Sequence, residues 1–239
     1  MLSVSILNPA EVPLPKRKKK LPYVLSRQEI QLMIGKTENI KHRLLIEMLY
    51  STGIRLSELL GLRVEDIDFE GNTIRVRQGK GAKDRVIPIG KNAAFWVERY
   101  LKLRQGIRPD LKEIFLSDIF NLPVGTSCLC AIIRRYVTKA GISKTITPHS
   151  LRHTYATHLL QEGANLAHIQ ALLGHSSLDS TQIYTRVAMP DIKKAHSLAH
   201  PREKSGLLTS EDELNRCQKQ FNRTIEPRQP RRSKKHAGK

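Results

Sequence analysis

Between residues 72 and 89 the hydrophobic period of the chain switches. Upstream, IKHRLLIEMLYST (40–52) spaces its apolar side chains as a helix does. NTIRVRQ (72–78) then alternates, GKGAKD (79–84) has turn composition, and RVIPI (85–89) alternates again. Two alternating runs around a glycine-containing break predict a β-hairpin with a basic tip. A lone hairpin is marginal in water and must pack on the helices around it. The expected fold class is therefore mainly α with a small antiparallel β-sheet (α+β).

Local signals set the helix ends. Ser26 and Glu29 make a capping box, so a helix starts at 27. Gly53 ends the 40–52 helix, and SELLGL reads as a short helix capped by Ser57. KNAAFWVERYLKLRQG is helical to about 105, EIFLSD suits a short strand, and TSCLCAIIRRYVTKAG is a helix stopped by Gly141. In ITPHSLRHTYATHLL, Thr147 caps a helix with Pro148 at its first position, running to Gly163. Further helices are expected at 165–173, 177–186 and 190–199. Three segments follow: a basic, proline-containing linker at 1–22 with the block KRKKK, a folded domain at 23–200, and a basic, mostly disordered tail at 201–239.

Charge is the first functional signal. The chain carries 41 Lys+Arg against 22 Asp+Glu, and residues 21–200 alone hold 25 against 16. The folded part is thus basic in its own right, which points to a polyanion, most simply nucleic acid. No apolar run approaches the roughly 18 residues of a membrane span, and the N-terminus lacks the pattern of a secretory signal. A cytoplasmic, nucleoid-associated bacterial protein is expected. Three cysteines, Cys128, Cys130 and Cys217, give no disulfide framework, and Cys-x-Cys without further ligands is a poor metal site. Neither a metal nor a cofactor is expected.

The stretch at 146–160 carries the densest chemistry. His149 and Arg152 are three apart and share a helix face near an N-terminus that favours anions. Arg152 can hold two phosphate oxygens through its planar fork. A surface histidine beside a salt-bridged arginine fits equally well. Arg55 stands in a turn in an apolar setting, with Glu58 in reach as partner. Lys80 lies between two glycines at the hairpin tip, where a solvated lysine is the simpler reading. His175 and Tyr184 would each, alone, most often be structural. Tyr50, Tyr100, Tyr136 and Tyr155 sit in amphipathic patterns and read as core or rim, and His158 as packed within the domain.

Taken together, TGIRLSELLGL, GKGAKDR, HSLRHTYATHLL, LLGHSS and IYT, in this order, resemble the tyrosine recombinase (phage integrase) family, closest to its Xer-like and integron-type branches. The resemblance spans residues 21 to about 200. It implies a DNA breaking and rejoining catalytic domain that forms a covalent 3′-phosphotyrosine, without ATP or metal. Arg55 and Arg152 match the arginines that clamp the scissile phosphate, and Lys80 the lysine that protonates the leaving 5′ oxygen. His149 matches the H-x-x-R histidine, His175 a phosphate hydrogen-bonder, and Tyr184 the nucleophile. Glu58 and His153 are expected in support. Lys83, Arg85, Lys18, Lys19 and Lys20 are expected to contact DNA.

The family's usual N-terminal core-binding domain has no counterpart ahead of residue 23. The chain therefore reads as a short recombinase, a truncated remnant, or one half of a separately encoded pair, associated with a mobile element. The expected partner is double-stranded DNA with a specific recombination site, and residues 188–199 are expected to dock between copies in a homotetramer. A DNA-binding protein that no longer cuts is the main alternative. The complete residue set argues against it.

Overall fold

The computed structural model describes residues 23–77, 84–117, 122–174, 189–204 and 210–225. Its elements run α1 (Arg27–Gly35), α2 (Ile40–Thr52), α3 (Leu56–Leu60), a 3₁₀ turn (Val64–Asp66), β1 (Ile67–Asp68), β2 (Thr73–Val76) and β3 (Arg85–Pro88). Then come α4 (Lys91–Arg104), α5 (Thr126–Lys139), α6 (Pro148–Gln161), α7 (Leu166–Leu173), α8 (Met189–Ala199), α9 (Pro201–Lys204) and α10 (Glu211–Ile225). The fold is mainly helical with one small antiparallel sheet. Among the described residues no helix is long and apolar enough to cross a membrane.

Helix α2 is the axis of the core. From Leu44 to Leu49 nearly every side chain is buried, because α1, α3, α4, α6 and α10 pack around it. Its buried charges are paired. Lys41 Nζ donates to the Leu116 carbonyl at 2.9 Å, and Arg43 pairs with Glu47 while lying over the Trp96 ring. Helix α1 starts with the expected capping box: Ser26 Oγ accepts from Glu29 N at 3.1 Å, and Glu29 Oε2 from Ser26 N at 2.6 Å. Thr147 caps α6 through Ser150 N at 3.1 Å, with Pro148 in its first turn.

The sheet order is β1-β2-β3, with Ile74 opposite Ile87 and Val76 opposite Arg85. Ile74, Val76 and Ile87 face inward, and Arg75 and Val86 outward. Arg85 is on the inner face too. The hairpin is as expected, and β1 adds a third strand. The tip, residues 78–83, lies outside the described residues.

Two expectations are corrected. Ser57 is not the cap of α3. The cap position is Arg55, whose backbone N–H is taken by Glu58 Oε2 at 2.9 Å. The segment 201–239, expected to be mostly disordered, also holds two helices, α9 and α10, that fold against the domain. Arg202 makes a buried, two-point ion pair with Glu47. Leu214, Cys217 and Phe221 form one apolar stripe along α10, with Phe221 edge-on to Tyr100 at 5.6 Å between centroids. The overall polarity of this segment masks a stripe that needs only three apolar residues at helical spacing.

Helix α8, expected to dock on a neighbouring copy, is seated on its own domain. Ile192, His196 and Ala199 are buried against it. His196 Nε2 lies 2.7 Å from the Ser51 carbonyl, and Lys193 Nζ donates to the Gly71 carbonyl at 2.6 Å.

Candidate active site

The site is built outward from Gly53. Helix α2 ends there in the left-handed conformation, φ 61°. A Cβ at this position would stand 2.4 Å from Tyr155 Cδ1, so both the backbone and the neighbouring ring require glycine. The turn that follows brings Arg55 out ahead of α3. The Gly53 carbonyl accepts from Arg152 Nη1 of α6 at 2.5 Å. One turn thus carries the first arginine and holds the second.

Helix α7 supplies the meeting point. It ends at Gly174, also left-handed at φ 63°. The last carbonyls of a helix have no intrahelical donor and carry the negative end of its dipole. Here three consecutive ones are each taken by a different arginine. Arg85 Nε donates to Leu172 O at 3.3 Å, Arg152 Nη2 to Leu173 O, and Arg55 Nη2 to Gly174 O at 2.7 Å. The three guanidiniums come from β3, α6 and the α2–α3 turn.

Glu58 sits among them. Its Oε1 accepts from Arg55 Nη1 at 2.9 Å, and Arg85 grips both oxygens at 2.8 Å. Burial alone would raise this carboxyl, but the Arg85 fork and then Arg55 hold it down at about 2. Burial lowers the Arg152 guanidinium to about 10, helped by Arg55 and Arg85 and opposed by Glu58. It stays charged at neutral pH. Three cations around one anion leave the cluster net positive, and the Arg55 side chain is 39 % exposed. This is a preorganised seat for an anion with oxygens to share.

The other sequence-derived residues fall into three groups. His149 stands exposed in the first turn of α6, one turn from Arg152, and His153 is half-buried beside it. Arg85, expected on DNA, is corrected: its side chain is 3 % exposed and its donors go to Glu58 and α7, because its strand position points inward. Lys80, Lys83, His175, Tyr184, Lys18, Lys19 and Lys20 lie outside the described residues. The inward role of Arg85 had one sequence signal, since it shares the parity of Ile87 and Ile89 in RVIPI.

Four tyrosines are removed from solvent. Tyr50, Tyr100, Tyr136 and Tyr155 are each at most 2 % exposed. Tyr50 Oη lies 2.9 Å from His158 Nδ1 and Tyr136 Oη 3.0 Å from His42 Nδ1. Burial pushes the Tyr50 and Tyr155 hydroxyls well above the usual phenol range.

Comparison with known proteins is consistent across sequence and structure. Residues 23–190 match the Phage integrase family. Tyrosine recombinase XerC 2 of Ralstonia nicotianae is 40% identical over 205 residues, 82% of this chain and 59% of the relative. Tyrosine recombinase XerA of Pyrococcus horikoshii is 40% identical over 183 residues, 76% of this chain and 62% of the relative. The crystal structure of XerA recombinase superposes with a TM-score of 0.63 at 35% identity, covering 79% of this chain and 67% of that one. A post-cleavage complex of XerH site-specific recombinase on its palindromic difH substrate gives 0.59 at 28% identity, covering 74% and 53%. The chain therefore spans about three fifths of the length of these two curated relatives.

Proposed function

Because the chain belongs to the phage integrase family, we propose that it is a site-specific DNA recombinase that cuts and rejoins strands through a covalent 3′-phosphotyrosine. The observation that carries this reading is the meeting of Arg55 and Arg152 beside Glu58 at the end of α7. Attack on a phosphodiester concentrates negative charge on the non-bridging oxygens, and two preorganised guanidiniums stabilise it there.

In this reading the Tyr184 hydroxyl attacks phosphorus. The new O–P bond forms as the bond to the 5′ oxygen breaks. The tyrosine proton leaves toward His149, and Lys80 protonates the departing 5′ oxygen. His175 adds a hydrogen bond to the phosphate, and His153 supports the helix that carries His149 and Arg152. The phosphotyrosine keeps the energy of the broken linkage, so the reverse step rejoins a strand without ATP. The burial of Tyr50, Tyr100, Tyr136 and Tyr155 removes them as nucleophiles, since none can reach a phosphate, and the exposed Tyr23 lies ahead of α1, outside the motifs of the resemblance that include Tyr184. Lys83 and Lys18–Lys20 add phosphate contacts that make binding steeply salt-dependent. Assembly into a tetramer would require α8 to leave its seat, or another surface to meet the neighbour.

The test is covalent capture. The chain is incubated with nicked duplexes of randomised sequence, built so that the short cleaved strand diffuses away, and the DNA bound through denaturation is sequenced. A recombinase captures a defined site, and Tyr184→Phe captures none. Binding without capture by the unaltered chain would leave a DNA-binding protein that no longer cuts.

A further inference from the structure

Glu58 poses an electrostatic problem that the clamp alone does not solve. A half-buried carboxylate paired only with Arg55 would cancel the charge that Arg55 must present to a phosphate. It would also be free to swing, taking the Arg55 guanidinium with it. In the structure both oxygens of Glu58 are doubly engaged. Oε1 accepts from Arg55 Nη1 and Arg85 Nη1, and Oε2 from the Arg55 backbone N–H and Arg85 Nη2.

Arg85 has the opposite character to a DNA contact. It is buried, it lies on the inner face of β3 opposite Val76, and its Nε is fixed on Leu172 O. A Cβ added to Gly174 would meet its Nε at 3.0 Å, so the end of α7 is pressed directly against it. With Arg85 present, one carboxylate is shared between two guanidiniums.

We propose that Arg85 is a positioning residue for the cleavage reaction, which neutralises and locks Glu58 so that Arg55 keeps its charge and aim for the scissile phosphate. The proposal rests on the recombinase reading above. It also gives the hairpin a second role. The strand that leads away from the Lys80 tip is bolted, through Arg85, to the carboxylate that holds the clamp.

The test measures single-turnover covalent capture at saturating protein for the unaltered chain, Arg85→Gln and Arg85→Lys. Two versions of the captured duplex are used, one with the natural scissile phosphate and one with a methylphosphonate there. The methylphosphonate lacks one charged oxygen and so relies less on an uncompensated positive charge at Arg55. On the phosphate, Arg85→Gln is expected to lose about 100-fold in rate, with DNA affinity and its salt dependence unchanged. Arg85→Lys, which keeps the charge and with it the fold but loses the fork, is expected to lose about tenfold. On the methylphosphonate both losses shrink to a few-fold. Equal losses on the two duplexes would mean a merely structural role and overturn the proposal. Weaker, less salt-dependent binding with an unchanged saturated rate would mean a direct phosphate contact and overturn it too. Absence of capture by the unaltered chain would overturn the recombinase reading itself, an outcome visible before any variant is compared.

Discussion

Arg152 and Gly53 are joined by a 2.5 Å hydrogen bond from Nη1 to the carbonyl, across 99 positions of sequence. It fixes Arg152 to the turn that carries Arg55. Gly53→Ala should break this arrangement. The left-handed backbone costs an L-residue about 1–2 kcal/mol, and the new methyl would collide with the buried Tyr155 ring. The expected outcome is a lower Tm together with loss of covalent capture, measured by thermal denaturation and the nicked-duplex assay. A variant with unchanged Tm and capture would refute the requirement for glycine.

Arg152→Lys separates charge from geometry. A lysine keeps the positive charge but cannot reach Gly53 O, Leu173 O and a phosphate at once. The capture rate should fall on the order of 100-fold to 1000-fold, the usual effect of removing one preorganised donor. DNA affinity at fixed salt should change little.

Acid should destabilise the seat of α8. His196 and His200 are stacked with centroids 5.1 Å apart, facing Tyr155, while Tyr50, His158 and Arg202 lie around His200. Burial lowers the pKa of both rings, and His196 lowers that of His200 further. The unfolded chain takes up protons near the ordinary value of 6.5 that the folded chain refuses. Their contribution is therefore present above 6.5 and lost as pH falls below it. Tm should drop between about pH 7.5 and 5.5, and His200→Gln, neutral throughout, should flatten that slope. Below the ordinary carboxylate value of 4.5 a separate loss follows as Glu58 is protonated toward about 2.

Helix α10 should contribute to stability from outside the stretch that matches the family. Phe221 is 5 % exposed and packs edge-on to Tyr100. Phe221→Ala should cost about 3 kcal/mol in urea denaturation. An unchanged midpoint would mean that α10 is dispensable for the fold.

Much of this architecture is legible in local signals. The Ser26–Glu29 box, Gly53 at the end of α2, and Thr147 with Pro148 at the start of α6 each act within four residues, so the sequence reports them directly. The cap of α3 misleads because no serine caps it, and Glu58 reaches back from inside the helix to the Arg55 N–H instead. Strand β1 has two residues, too few for a period. Arg85 was readable by its parity with Ile87, but the chemical habit of placing arginine at the surface outweighs parity. The gathering of three arginines on the end of α7 has no local trace at all, since it joins residues 55, 85 and 152 to 172–174.

Under the recombinase reading, that gathering also separates the ability to hold DNA from the ability to cut it. The contacts spanning 119 and 87 positions carry a larger loop-closure entropy cost than the local caps and are expected to close after them. In the recombinase reading, a chain locally unfolded at α7 still carries every basic residue and can adhere to a duplex. It has no assembled clamp with which to break one. In that reading, the docking of Arg55, Arg85 and Arg152 on the end of α7 acts as a safety catch between holding DNA and cutting it.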